Sequence, residues 1–175
     1  MVFARTKLVI HDDCLPPPGK IILSYTGPNP QNLYHQIKKL FSTIFKAEEK
    51  DIQEKEISWD RSKAEETFSI KFEMIKGLDN FTNMQINVDL SGSAKPSREF
   101  GKEGNVTIKI EAFIRTEYPQ DTLWQRSLFY EIFRVFYHRV IYKDTREKFK
   151  GRCIELVKHF QSELKSFLNL LQRAK

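Results

Sequence analysis

Between Thr67 and Arg115 the chain alternates apolar and polar residues in three separate runs, and only a β-sheet satisfies that period. Phe68, Ile70, Phe72 and Met74 alternate with Ser69, Lys71 and Glu73. Met84, Ile86, Val88 and Leu90 alternate with Gln85, Asn87 and Asp89, and Val106, Ile108, Ile110, Ala112 and Ile114 repeat the pattern. Successive side chains on a strand point to opposite faces, so each run has one buried and one wet side, as antiparallel sheets do. Lys20–Tyr25 (KIILSY) predicts another strand. Asp51–Trp59 is weaker, because Ile52 and the pair Ile57/Trp59 fall out of phase, which a bulge reconciles. Ser91–Gly104 reads as a long, polar and mobile connection.

Two further stretches carry the helical period instead. Leu33, Tyr34, Ile37, Leu40, Phe41, Ile44 and Phe45 form one stripe over Pro30–Lys46, with Asn29 a candidate N-cap and Pro30 at the first helical position. Phe149, Cys153, Leu156, Val157, Phe160, Leu164, Phe167, Leu168 and Leu171 form a longer one within Lys143–Lys175. A folding composition supports a substantial core: of 175 residues 40% are hydrophobic, and 14 are Phe. The expected fold is therefore α+β in one domain. An extended arm (1–19) ending in three prolines leads into a strand–helix–sheet block (20–118), and C-terminal helices (119–175) cover the antiparallel sheet.

The strand KIILSY, the helix NPQNLYHQIKKLFSTIF and the terminal helix FKGRCIELVKHFQSELKSFLNLL follow one another in an order that resembles the helix-grip fold of the START/Bet v 1-like (SRPBCC) superfamily. That resemblance implies a curved sheet gripping the terminal helix around a cavity for lipids, sterols or other apolar ligands. The blocks HDDC, PPPG and YTGPNP also resemble an uncharacterised archaeal family, which implies no function.

Leu123–Tyr142 (LWQRSLFYEIFRVFYHRVIY) is the most unusual segment, because aromatic residues spread around the whole helix it predicts. A helix apolar on all sides is normally buried, so a central core helix is expected here, with a cavity wall, a dimer surface or a membrane-facing helix as alternatives. On the cavity reading Trp124, Phe133, Phe136 and Tyr137 point inward with Phe72 and Ile110 to line a ligand site. Charge is distributed unevenly. Residues 1–114 carry 16 Lys/Arg and 16 Asp/Glu, whereas residues 115–175 carry 13 and 7, so the whole net charge of +6 lies in the C-terminal third. Arg134, Arg139, Lys143, Arg146, Lys148 and Lys150 are the candidates there for an anionic partner, either nucleic acid or an anionic membrane surface. The bland reading is a solvated helix face.

Catalytic motifs are absent. His11, Asp12, Asp13 and Cys14 lie together, but neighbours on an extended chain diverge, and no second cluster completes a metal site. A solvated turn is expected there, with no metal and no cofactor. Without a recognisable signal sequence, Cys14 and Cys153 read as free thiols in a reducing cytoplasm. The leading expectation is a non-enzymatic domain binding an apolar or amphipathic small molecule between sheet and helices. A homo-oligomer or protein-interaction module built on residues 123–142 is the alternative, and binding to nucleic acid or anionic membrane through the basic third is another.

Overall fold

The computed structural model describes residues 9–62, 65–97, 101–118 and 122–173. Six strands form one antiparallel sheet: β1 (Val9–Asp13), β2 (Lys20–Pro28), β3 (Ile52–Asp60), β4 (Glu66–Gly77), β5 (Thr82–Ser97) and β6 (Gly101–Glu117). The order runs β3-β4-β5-β6, and β1 and β2 share the far side of β6 end to end. β2 pairs Lys20–Pro28 with Glu111–Glu103, while β1 pairs Val9–Asp13 with Glu117–Phe113.

The alternation expected of β4, β5 and β6 is realised, except that Gln85, on the polar side of β5, is itself buried. Phe72, Met74, Ile86, Val88, Ile108 and Ile110 are buried on one face. The out-of-phase pattern of β3 resolves as a register shift between Glu54 and Glu56. Two expectations need correction. Ser91–Gly104 is not a long loop: β5 and β6 extend along most of it, paired from Ser91↔Thr107 to Ser97↔Gly101. Gly104 permits the close approach, since a Cβ there would sit 1.9 Å from the Ser93 carbonyl oxygen. His11–Cys14 is not a solvated turn either. It is the β1 strand and its exit, paired to the far edge of β6 beside the end of β2.

α1 (Asn32–Ile44) and α3 (Lys143–Arg173) cover the buried sheet face. α1 starts later than its sequence signal, because Asn29 takes a left-handed φ of 50° and the first turn carries no side-chain cap. It ends at Ile44; Phe45 is the C-cap, Lys46 just beyond is also left-handed, and there Lys76 of β4 donates to the carbonyls of Phe45 (2.6 Å) and Lys46 (2.8 Å). That ammonium caps the chain where it leaves the helix, where carbonyls lack intrahelical donors. Phe41 of α1 stacks on Phe160 of α3, with centroids 5.5 Å apart and planes within 4°. On α3, Cys153, Val157, Phe160, Leu164 and Leu168 are buried, as their spacing requires.

Cys14 and Cys153 form a disulfide. The expected free thiols are thus corrected. The strand pairing of β1 carries Cys14 beneath α3, and the helical stripe turns Cys153 to meet it. Sequence separation, 139 residues, says nothing about that juxtaposition.

Candidate functional site

The aromatic segment folds as a 3₁₀ turn (Trp124–Arg126), α2 (Leu128–Phe136) and a π-helical turn (Tyr137–Ile141) that leads into α3. Ser127 caps α2 by accepting from the Tyr130 amide at 3.3 Å. The expected central core helix is absent; the segment is inside out. Arg134 and His138 are 2% and 3% exposed, whereas Phe129, Ile132, Phe133 and Phe136 are 78%, 61%, 60% and 52% exposed. Of twelve large apolar side chains exposed among the described residues, ten lie between Leu123 and Ile141.

Hydrogen bonding explains why the polar side turns inward. Tyr130, Arg134, His138 and Tyr142 recur every four residues and form the inward stripe. At 3.6 residues per turn such a stripe drifts by about 40° per step. The π turn is wider, and its Tyr142 N–H to Tyr137 carbonyl bond (2.8 Å) marks the place where the drift is taken back. His138 then meets Tyr118 at the end of β6 through Nδ1 (2.8 Å) and Arg146 of α3 through Nε2 (3.1 Å). Arg146 also pairs with Asp12 of β1 at 3.7 Å. Tyr142 donates to Asp79 and lies 2.7 Å from the Thr82 hydroxyl, which is 3.3 Å from that of Thr116. Asp79 is itself fixed by the amides of Phe81 and Thr82, each at 2.8 Å.

The two phenols and the imidazole are held in their uncharged forms. Burial, then the Tyr137 and Asp79 charges, pushes the Tyr118 phenol up to about 12. Burial and the bond to Asp79 also raise Tyr142. Burial first, then the Arg146 charge, pushes His138 below the usual imidazole range.

The residues proposed to line one cavity are not brought together. Phe72 and Ile110 are in the filled core, and Trp124, Phe133 and Phe136 face outward. Phe133 and Tyr137 do meet Phe81, Tyr118, Tyr130 and Arg134 around an open pocket of about 230 Å³ at the sheet end. Of the anion candidates, Arg139 and Arg146 line a second pocket, of about 290 Å³, with Ile10, Val135 and His138. Arg134 lies apart with Glu131, 3.7 Å away. Lys143, Lys148 and Lys150 lie on the first turns of α3, with Lys143 3.9 Å from Glu147. Sequence reasoning missed Asp12, Asp79, Tyr118 and Tyr142 as members of the polar cluster. The four-residue repeat of polar-tipped side chains through the aromatic segment was the signal for the last of these.

Among the described residues no group of three His, Cys, Asp or Glu side chains is placed to hold a metal. No helix among them is long and apolar enough to cross a membrane. No protein-family model matches the chain, and no curated protein does. A solved structure, the protein of unknown function SA2116 from Staphylococcus aureus, is 11% identical over 86% of this chain and 98% of its own, with a TM-score of 0.20. That likeness is too loose to carry an argument about fold or function.

Proposed function

We propose that this chain is a non-enzymatic membrane-surface domain that lays the outward face of residues 123–141 into the headgroup–acyl boundary of an anionic bilayer. The observation carrying this reading is the inversion of α2, with Arg134 and His138 inside and Phe129, Ile132, Phe133 and Phe136 outside. Fully burying such a side chain recovers roughly 1.5–3 kcal/mol, so a face this size is costly in water. An in-plane helix presents such a face to lipid. Trp124, 68% exposed at the start of the segment, is the residue type that anchors at the interface.

Charge favours lipid over a second copy. Residues 122–143 expose Arg126, Arg139 and Lys143, and their single acid, Glu131, pairs with the buried Arg134. A two-fold partner would bring like charges together, whereas anionic headgroups complement them. The Cys14–Cys153 cross-link supports an oxidising compartment in place of the reducing cytoplasm expected from the sequence.

Vesicle flotation at low salt tests this proposal. The wild-type protein should float with vesicles containing phosphatidylglycerol. Phe136→Glu should stay folded, because the site is half exposed, and should remain at the bottom of the gradient. No flotation of the wild type overturns the reading. So does an oligomeric parent that Phe136→Glu converts to folded monomers, which would make the face a contact between copies.

A second reading rests on the pocket walled by Phe81, Tyr118, Tyr130, Phe133, Arg134 and Tyr137. Aromatic walls with one buried guanidinium suit an amphipathic small molecule. It agrees with the helix-grip resemblance, which the lie of α3 across an antiparallel sheet supports.

A further inference from the structure

We infer that the pocket bounded by Ile10, Val135, His138, Arg139 and Arg146 receives the phosphate of an anionic phospholipid whose acyl chains lie along the neighbouring exposed apolar face. The inference rests on the membrane-surface reading and names the lipid group that would be recognised there.

Three observations converge. The pocket, about 290 Å³, opens where the apolar face ends, and Val135 belongs to both. Its wall carries two guanidinium groups from different elements, Arg139 from the π turn and Arg146 from α3. Planar guanidinium forks are the groups best matched to phosphate oxygens. The two do not play equal parts. Arg146 is engaged with Asp12 and His138, which fix its position. Arg139 is exposed, and no carboxylate among the described residues pairs with it. It therefore supplies the uncompensated charge. Val140 and Ile141, 58% and 57% exposed, follow it directly, so apolar insertion brings Arg139 to headgroup depth.

His138 spends both ring nitrogens inside the protein and forms the pocket floor. It is therefore a reporter rather than a ligand. Phosphate seated beside it favours the imidazolium and moves its titration upward.

The test compares Arg139→Gln with Lys150→Gln, two substitutions that each remove one positive charge. Binding to phosphatidylcholine vesicles and to vesicles containing phosphatidylglycerol is measured for each. Arg139→Gln should lose at least tenfold on the anionic vesicles and nothing on the neutral ones. Lys150→Gln should lose no more than the roughly fivefold effect of one diffuse surface charge. Equal losses for the two variants overturn the pocket in favour of a diffuse field. Imidazole proton resonances of His138 are followed in parallel, with inorganic phosphate and with short-chain phosphatidylglycerol below its micellar concentration. Both should shift His138, the lipid at lower concentration. A shift with inorganic phosphate alone overturns the lipid assignment, and no shift with either overturns the site. Failure of the wild type to bind any vesicle removes the membrane-surface reading instead, and the phosphate titration still decides whether the pocket takes an anion.

Discussion

Arg146 donates to Nε2 of His138 across 3.1 Å, and a guanidinium has no lone pair to offer in return. The bond therefore requires a neutral imidazole with its proton on Nδ1, donated to the Tyr118 hydroxyl at 2.8 Å. Tyr118, Tyr142, Arg139, Arg146 and Asp12 surround this ring, and Asp12 alone favours its protonation.

A pH dependence with a definite sign follows. The folded pKa of His138 lies below its unfolded value, so the unfolded chain binds more protons as pH falls. His138 therefore contributes stability that is full above about 6.5, the unperturbed value, and is lost as pH falls through its lowered folded pKa. Thermal melts between pH 7.5 and 5 should show the protein weakening. His138→Gln should be less stable at pH 7.5 and show a shallower decline.

Truncating the buried stripe of α3 should be expensive. Phe160→Ala should cost about 3–5 kcal/mol and Leu164→Ala about 2–5 kcal/mol, because both are fully buried against the sheet. Urea titrations monitored by circular dichroism check both. Losses below about 1 kcal/mol at both sites are incompatible with α3 as the core helix.

Much of this architecture is legible in the sequence, and the reasons differ by element. β4, β5 and β6 announce themselves because each buries one face only, and α3 because its stripe persists for many turns. The inversion of α2 is not legible from hydrophobicity. Phe129 and Phe133 look alike whether they face a core or a bilayer. Its direction is set largely by His138 and Tyr142, whose partners Tyr118 and Asp79 lie 20 and 63 residues away in sequence. β1 was hidden for a related reason: VIHDD is too short and polar to read as a strand until the open edge of β6 receives it.

Removing the Tyr142 hydroxyl isolates one of those contacts. Tyr142→Phe leaves Asp79 without its phenol donor and Thr82 without its nearest hydroxyl. The variant should lose about 1–3 kcal/mol. It should also loosen the π turn, seen as faster amide exchange at Tyr142 while the amides of β5 stay protected.

Reduction of the Cys14–Cys153 bridge should lower stability by about 2–5 kcal/mol, the upper end being the entropic value for so long a loop. Denaturant midpoints with and without dithiothreitol give the difference. Cys153→Ser should reproduce the reduced midpoint.

That bridge has a mechanical consequence as well. It closes residues 14–153 into a covalent ring that contains β2 to β6, α1 and α2. Tension entering the chain before Cys14 and leaving after Cys153 passes across one sulfur–sulfur bond and bypasses β2 to β6. Under load only β1 and the part of α3 beyond Cys153 lie outside the ring and can pay out, and the apolar face of α2 keeps its aim while the oxidised protein is pulled.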